Sequence, residues 1–134
     1  MERADAGDGG GSREVGIQEV VELTGISAFT IRYYDKCGFF PDLKRGKRGV
    51  RSFAAADIRQ LLLVDALRKS GLSIEGIRYY VRLSRAENRS ADRLAIVQTQ
   101  INALEYQIAE SRESLDLLKK EAEALQSDGS AASG

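Results

Sequence analysis

Residues 17–41, IQEVVELTGISAFTIRYYDKCGFFP, carry the strongest structural pattern of this chain. Within residues 15–23, apolar side chains recur at helical spacing and predict a short helix, at Ile17, Val20, Val21 and Leu23. Thr24 to Ser27 interrupts that pattern with a glycine suited to a positive φ. Ser27 is a good N-cap for a second helix from Ala28 to Cys37, and Gly38 is its natural stop. The stretch therefore predicts two short helices joined by a tight turn.

The second helix of this pair has two chemically different faces. Ile31 and Tyr34 are expected to face inward, because they lie three residues apart on one side of the helix. The other residues are free to face outward, namely Phe29, Thr30, Arg32, Tyr33 and Lys36. The alternative for Tyr33 and Tyr34 is a pair of core aromatics. We favour that reading for Tyr34 and exposure for Tyr33, since adjacent helical positions point about 100° apart.

Residues 39–53 show no helical period and are interrupted by a proline and two glycines. This segment is predicted to form a hairpin-like loop, which we call the wing. Between Pro41 and Arg51 only Asp42 is acidic, against five basic residues, Lys44, Arg45, Lys47, Arg48 and Arg51. A solvated loop is the alternative, but this excess of positive charge favours contact with phosphate.

Two more helices complete the expected core. One is predicted from Ala55 to Ser70 and ends at Gly71, and the other runs from Ile74 to Leu83 behind the N-cap Ser73. Four helices and the wing then form one small domain.

The segment from Ala91 to Gln126 repeats apolar or small residues at alternating steps of three and four. This heptad stripe consists of Leu94, Val97, Ile101, Leu104, Ile108, Ser111, Leu115, Leu118, Ala122 and Leu125. A helix about 54 Å long cannot bury such a stripe against a core of this size, so it requires a partner helix. The expected dimerisation residues are its large apolar members, Leu94, Val97, Ile101, Leu104, Ile108, Leu115, Leu118 and Leu125.

Composition excludes several classes of function. The chain has 134 residues, no histidine, one cysteine and a formal net charge of zero. Disulfide scaffolds, zinc sites built from Cys and His, and Ser-His-Asp triads are therefore excluded. The carboxylates form no recognisable catalytic site, so we expect no enzymatic activity, no cofactor and no metal. Cys37 is a candidate for redox sensing, although a small half-buried side chain is the favoured interpretation.

The zero net charge conceals an uneven distribution. Ala28 to Arg51 contains seven basic and two acidic residues, whereas Glu105 to Asp128 contains three basic and seven acidic residues. A basic helix-turn-helix joined to an acidic coiled coil is expected when one end meets a polyanion. Arg32, Tyr33 and Lys36 suit the major groove of double-stranded DNA. The alternatives are a coiled-coil protein-interaction adaptor and an excisionase-like architectural DNA-binding protein.

The helix-turn-helix stretch, together with Gly49 to Phe53, Asp57-Ile58 and Gly71 to Ser73, resembles the MerR family of bacterial transcription regulators. The resemblance covers Val15 to Leu83, and a long coiled-coil helix also follows this region in the family. It implies a homodimer with antiparallel long helices that places two winged helix-turn-helix units on an inverted repeat. It further implies that the operator is distorted, as many members bend and untwist an over-long promoter spacer.

By position, the resemblance implies DNA contacts in the second helix and the wing. These residues are Ser27, Phe29, Thr30, Arg32, Tyr33, Lys44, Arg45, Lys47, Arg48 and Arg51. Val50 departs from the usual tyrosine, and Gly16 and Ala54 replace the usual Ser or Thr helix caps. The cysteines of metal-responsive members are missing, which implies that this chain does not sense metals.

The sequence thus predicts a mainly α-helical protein with four domains or segments. A disordered leader covers residues 1–14, the winged helix-turn-helix head 15–86, the dimerisation helix 87–126 and a disordered tail 127–134. The expected function is that of a dimeric, sequence-specific DNA-binding transcription regulator without an appended effector domain. We expect a cytoplasmic location at the bacterial nucleoid and no membrane association. RNA polymerase or another regulator is a candidate further partner.

Overall fold

The computed structural model describes residues 13–133, with side chains described to residue 129. Its elements follow the order α1 (Ile17–Thr24), α2 (Ala28–Lys36), β1 (Lys44–Arg45), β2 (Arg51–Ser52), α3 (Ala55–Lys69), α4 (Ile74–Ser84) and α5 (Ser90–Ser133). A single 3-10 turn, Lys47–Gly49, lies between the two strands. The prediction of a mainly helical head with a small wing and a long final helix is confirmed.

The turn between α1 and α2 depends on Gly25, which has a φ of 75° in the left-handed region. Its N–H donates to the carbonyl oxygen of Val21 and ends α1. Ser27 begins α2, since its side-chain oxygen accepts a hydrogen bond from the N–H of Thr30. Gly38 follows α2 with a φ of 89°, as its predicted role as a helix stop requires.

The core lies between the four short helices and the base of the wing. Its fully buried side chains come from every part of the head, namely Val20, Ile31, Phe39, Phe53, Leu61, Val64 and Ile77. Phe40 and Phe53 meet edge to face, with ring centroids 6.2 Å apart. Tyr34 of α2 also packs on Phe39, with ring centroids 5.6 Å apart, so α2 and the wing segment share one core.

The first helix begins at Ile17, the first residue of the apolar pattern, two residues inside the predicted stretch 15–23. Val15 forms an antiparallel bridge with Phe53 instead of a helical turn, with N–H to carbonyl distances of 2.9 and 2.8 Å in the two directions. Gly16 then acts as the N-cap without a side-chain hydrogen bond, as the missing Ser or Thr at this position predicts. The bridge attaches the start of the chain to the wing.

The predicted disordered leader is too long by two residues. Residues 1–12 lie outside the described part of the chain, but Arg13 and Glu14 make defined contacts. Arg13 Nη2 lies 3.1 Å from Glu19 Oε2. Glu14 accepts a hydrogen bond of 2.8 Å from the hydroxyl of Ser52. These contacts follow from the bridge at the next residue, which places Glu14 beside the second strand of the wing.

The last helix is longer than the heptad stripe and packs against the head only near its start. Ile96 and Val97 contact the core, and Ser70 donates a hydrogen bond of 2.9 Å to Gln100 Oε1. Gln107 Nε2 donates to the carbonyl oxygen of Ser70 at 3.1 Å. The helix continues to Ser133, so the prediction of a disordered tail from residue 127 is wrong for 127–133, and residue 134 lies outside the described part. The residues from Ser127 to Ser133 include no proline, and the helix continues through Gly129.

Among residues 13–133, no helix combines the length and the apolar character that crossing a bilayer needs.

Candidate nucleic-acid interface

The outer face of α2 presents the residues that the sequence predicts to be exposed. Phe29 is 80% exposed and Tyr33 is 47% exposed, and Arg32 and Lys36 are also exposed. Their spacing of three, four and seven residues places them on one side of the helix. This face combines two cations, one aromatic hydroxyl and one apolar ring.

The inner face of α2 is fixed by packing and by one long-range hydrogen bond. Ile31 is fully buried and Tyr34 nearly so, which confirms their predicted direction. The Tyr34 hydroxyl donates to Asp65 Oδ1 at 3.0 Å. Burial, followed by this hydrogen bond to an anion, raises the pKa of Tyr34 to about 12. Tyr34 therefore stays neutral and attaches α2 to α3.

Ser27 and Thr30 use their polar groups within the helix start. Ser27 Oγ accepts from the Thr30 N–H at 3.1 Å, and the two hydroxyl oxygens are also 3.1 Å apart. Ser27 is predicted both to cap α2 and to contact DNA, and the structure confirms the N-cap. Cys37 is buried at the other end of α2, where its carbonyl oxygen accepts from Arg78 Nε at 2.8 Å.

The wing is a two-stranded antiparallel hairpin with a tight tip. Lys44 pairs with Ser52 and Arg45 with Arg51. The tip is closed by a hydrogen bond of 2.7 Å from the Gly46 N–H to the Val50 carbonyl oxygen. Gly49 has a φ of 73°, a left-handed conformation that glycine adopts without strain. The predicted hairpin-like loop is thus present, with strands of two residues each.

A buried carboxylate joins the wing to α2. Asp35 has only 5% of its side chain exposed and accepts two hydrogen bonds of 2.8 Å from the guanidinium of Arg45. Arg51 Nε donates a third hydrogen bond, of 2.6 Å, to Asp35 Oδ2. Since Arg45 and Arg51 lie on opposite strands, one carboxylate holds both strands of the wing against α2. We call these three residues the Asp35 clamp.

The electrostatics of the Asp35 clamp follow from opposing effects. Burial by itself would raise the pKa of Asp35, but the hydrogen bonds and charges of Arg45 and Arg51 outweigh burial and lower that pKa. A carboxyl group whose pKa is lower in the folded chain stabilises the fold at pH values above its unfolded pKa. That stabilisation is lost as the pH falls through the folded pKa.

We therefore expect the clamp to stabilise the head at neutral pH and to lose this effect in acid, below the ordinary Asp pKa of 3.8. Urea unfolding of the chain and of Asp35→Asn, between pH 7 and pH 3, measures the effect. The difference between their unfolding free energies should narrow as the pH falls below about 4. If the difference between the two unfolding free energies stays constant over this pH range, the stabilisation does not come from the ionised carboxylate of Asp35.

The remaining basic residues of the wing differ in their partners. Lys44 Nζ lies 3.1 Å from Glu14 Oε2, although the lysine side chain is 74% exposed. Lys47 and Arg48 at the tip are exposed, and no ion pair of either is seen within residues 13–133. Arg48 lies in the tip turn with a φ of 61°, in the left-handed region. Lys47 and Arg48 are the two wing cations most available to an external anion.

Sequence reasoning missed the roles of Asp35, Glu14 and Asp65. Asp35 was counted as one acidic residue within a basic segment, and Arg45 and Arg51 were assigned only to DNA. One signal was available, because Asp35 follows the inward-facing Ile31 by four residues and so lies on the buried face of α2. A buried acid opposite a basic hairpin requires a cationic partner. No comparable local signal marks Glu14 or Asp65.

The heptad stripe of α5 remains largely uncovered in the single chain. Its exposed members include Ile101 at 47%, Ile108 at 50%, Leu118 at 67% and Leu125 at 59%. A shallow apolar surface runs along Leu104, Ile108 and Leu115.

Within the described residues, no group of three His, Cys, Asp or Glu side chains is arranged to hold a metal ion.

Comparison with known proteins identifies relatives of this chain. The sequence model of the MerR HTH family regulatory protein matches residues 16–83. An uncharacterised HTH-type transcriptional regulator from Haemophilus influenzae is 33% identical over 102 residues, which are 75% of this chain and 76% of that protein.

Two crystal structures are also similar to the fold. One is HiNmlR, described as a MerR family regulator lacking the sensor domain and bound to promoter DNA. Its TM-score is 0.71 at 30% identity, covering 78% of this chain and 80% of that chain. The other is a putative MerR family transcriptional regulator from Listeria monocytogenes, with a TM-score of 0.66 at 38% identity over 78% of this chain and 80% of that chain.

Proposed function

The chain belongs to the MerR family of HTH transcription regulators, and we propose that it binds an inverted-repeat operator in double-stranded DNA as a homodimer. In this proposal, α2 enters the major groove and the wing contacts the flanking phosphates. The solved relative HiNmlR, which is bound to promoter DNA, supports this assignment.

The single observation on which the proposal depends is the Asp35 clamp. A recognition helix and a wing bind one DNA surface more tightly when their relative position is fixed before binding, because less ordering is then required. The clamp connects the buried face of α2 to both strands of the wing through three hydrogen bonds of 2.6–2.8 Å. The exposed face of α2 and the tip cations are therefore presented as one rigid pair.

Selection of bound sites from random duplex DNA, followed by sequencing, tests the proposed function. We expect an inverted repeat whose half-sites are enriched at positions facing α2. The centre-to-centre spacing should correspond to one helical turn of B-DNA or a multiple of it, about 10–10.5 base pairs each. Selected sites without two-fold symmetry would contradict binding by a homodimer, and no enrichment at all would contradict sequence-specific binding.

The structure lets us divide the predicted DNA contacts by role. Phe29, Arg32 and Tyr33 lie on the face proposed to enter the groove, together with Thr30 and Lys36. Lys47 and Arg48 are proposed to contact phosphate directly, and Lys44 can do so after leaving Glu14. Arg45 and Arg51 are proposed to act mainly by positioning the wing, because the same carboxylate holds both guanidiniums.

Arg32 and Lys47 should have separable effects on DNA binding. Arg32→Ala should weaken binding to the selected site by roughly 1–3 kcal/mol and leave non-specific binding nearly unchanged, because helix side chains reach base edges. Lys47→Ala should weaken both kinds of binding and reduce the salt slope by about one per protomer. Fluorescence anisotropy titrations at several salt concentrations measure both effects. Equal losses on specific and random DNA for Arg32→Ala would show that this residue contacts only phosphate.

The homodimer is proposed to form through the heptad stripe, and its rigid long helices should fix the separation of the two heads. Any mismatch with straight B-DNA must then be absorbed by the DNA, and bending it by 40–90° costs on the order of 1–6 kcal/mol. Wing contacts from both protomers can offset this cost. Such distortion is the step through which we propose an effect on promoter recognition by RNA polymerase.

We expect the bound operator to be bent about its two-fold axis, with flexible pyrimidine–purine steps preferred at the centre. Circular-permutation mobility on a selected site measures the bend and its position. The complex that the protein forms with a non-specific duplex provides the control. A straight complex with unchanged mobility across the permutations would remove the distortion step and leave only occlusion of the promoter.

A further inference from the structure

We propose that Phe29 is a specificity-determining residue that recognises the C5-methyl group of one thymine in each half-site of the operator. This thymine should lie one or two base pairs from the base pair that faces Arg32. The inference rests on the DNA binding through α2 proposed above and deepens it, because it names the chemical group that this helix reads.

The fold leaves the Phe29 ring in water. The side chain is 80% exposed, more than any other large apolar side chain of the described residues. It lies in the first turn of α2, one residue after the helix begins, and takes no part in the core. Covering such a ring removes apolar surface from water and therefore favours binding of whatever covers it.

The hydroxyl groups on either side of Phe29 are engaged within the helix start. Ser27 Oγ accepts a hydrogen bond from the Thr30 N–H at 3.1 Å, and the Ser27 hydroxyl donates to Thr30 Oγ1 at the same distance. The N-terminal residues of a recognition helix are the ones that contact base edges. At this end of α2, the ring is therefore the group that is most free to meet a base.

The major groove offers a hydrocarbon ring one favourable target. The base edges there carry hydrogen-bond donors and acceptors, and thymine adds its C5-methyl group. A phenylalanine ring over a donor or acceptor would displace water without replacing the hydrogen bond, which is unfavourable. Contact with the methyl group instead removes two apolar surfaces from water. The minor groove displays no base methyl group, so this contact also requires α2 to lie in the major groove.

Positive charge on the same face of α2 favours DNA over an apolar protein surface as the partner of the ring. Arg32 and Lys36 are exposed and follow Phe29 by three and seven residues, so they share its side of the helix. An apolar protein partner would have to desolvate both cations without pairing them. The phosphates and guanine edges of DNA bind such cations.

The spacing of Phe29 and Arg32 predicts how far apart their base contacts lie. Three residues of helix advance about 4.5 Å, and successive base pairs are about 3.4 Å apart. An Arg guanidinium pairs best with O6 and N7 of guanine. Each half-site should therefore contain a T·A pair one or two base pairs from a G·C pair.

Replacing thymine by deoxyuridine in the selected operator tests the contact, because deoxyuridine lacks only the C5-methyl group and keeps every hydrogen-bonding atom. Each thymine is replaced in turn, symmetrically in both half-sites, and fluorescence anisotropy at one salt concentration gives the dissociation constant of the full chain. We expect one symmetric pair of thymines to matter. Its replacement should lower the affinity about 15-fold, which is about fourfold for each methyl group. If no replacement weakens binding by more than about twofold, the proposal is overturned.

Variants of Phe29 show whether this residue is the one that reads the methyl group. Phe29→Ala should bind the thymine operator about 15-fold more weakly and should not distinguish thymine from deoxyuridine at the critical position. Phe29→Leu keeps an apolar side chain and should keep part of the discrimination. If Phe29→Ala retains the full effect of deoxyuridine, another residue contacts the methyl group and the proposal is overturned.

Tyr106→Ala is the matched control, because Tyr106 is an aromatic residue that is 65% exposed and lies on α5, away from the proposed DNA interface. Its affinity and its response to deoxyuridine should equal those of the unsubstituted chain. Equal loss of discrimination in Phe29→Ala and Tyr106→Ala would show that the effect does not arise at α2. Urea unfolding should show that Phe29→Ala is as stable as the unsubstituted chain. A large loss of stability would contradict the exposed position on which the proposal depends.

The outcomes separate this inference from the proposed function. An enriched inverted repeat whose affinity does not respond to deoxyuridine overturns the methyl contact and leaves DNA binding intact. No enrichment of any sequence contradicts the proposed function and the inference together. Loss of the operator bend in Phe29→Ala, without any effect of deoxyuridine, would identify the ring as a wedge between base pairs and overturn the methyl contact.

Discussion

Replacing Leu104 and Ile108 by aspartate should convert the protein to a monomer. Both side chains line the apolar surface of α5, and Ile108 is 50% exposed in the single chain. Burial of each such side chain contributes on the order of 1.5–3 kcal/mol, and a dimer contains four of them. The dissociation constant should therefore rise by about 10⁴-fold or more.

Sedimentation equilibrium at micromolar concentration measures this change. The control variant combines Tyr106→Asp with Leu117→Asp, two residues that are 65% and 68% exposed but lie outside the heptad stripe. It should dimerise normally, since its charges point away from the proposed partner. Circular dichroism should show that both variants keep their helices. A dimer of the Leu104→Asp and Ile108→Asp variant would show that the stripe is not the interface.

The monomer should also lose most of its affinity for the operator. A single head can occupy only one half-site, and the gain from linking two binding events disappears. The affinity of one head for one half-site should remain. Comparing a full operator with an isolated half-site therefore distinguishes loss of dimerisation from damage to the head.

Removing the carboxylate of Asp35 should destabilise the head strongly. Asp35→Ala leaves two guanidiniums without their anion and removes three hydrogen bonds. Loss of one partner from a buried ion pair costs about 3–5 kcal/mol, but Arg45 is 44% exposed and can be hydrated. We therefore expect the free energy of unfolding to fall by about 3 kcal/mol, toward the lower end of that range.

Asp42→Ala provides a matched control for this substitution. Asp42 lies 2.7 Å from Arg85, but its side chain is 78% exposed, so the pair contributes at most about 1 kcal/mol. Chemical denaturation of the two variants compares a buried clamp with an exposed ion pair of the same chemistry. Losses of equal size would contradict the role assigned to Asp35.

The Asp35→Ala substitution should also loosen the wing before the rest of the head. Hydrogen exchange at the Gly46 N–H, which donates to Val50 across the wing tip, reports this opening. Exchange there should accelerate more in Asp35→Ala than exchange in α3. DNA affinity should fall as well, because Lys47 and Arg48 would have to be ordered during binding.

Features set by neighbouring residues were predictable. The two faces of α2 follow from helical spacing, and Ile31 and Tyr34 lie inside while Phe29 lies outside, as predicted. The start of α2 at Ser27 and its stop at Gly38 depend on hydrogen bonds and backbone angles spanning only a few residues.

Features formed by distant residues were not predictable from the same patterns. Val15 lies just before the apolar pattern of α1, and its backbone pairs with Phe53 because the wing returns beside it. Glu14 contacts the wing for the same reason. The helix α5 extends beyond its predicted end. The stripe marks which side chains are expected to be buried against a partner, whereas the end of a helix depends on residues, such as proline, that interrupt its backbone hydrogen bonds.

The helices of the head, the basic wing and the stripe of α5 follow from local sequence patterns, because periodicity and capping act within a few residues. Which basic residues of the wing are available to an external anion depends instead on contacts between distant residues. Asp35 lies 10 residues from Arg45 and 16 from Arg51, so the turn at Gly38 and the core beneath it must form before these charges meet. Burial then makes their pairing obligatory, since an unpaired carboxylate at that position would lose its hydration without compensation.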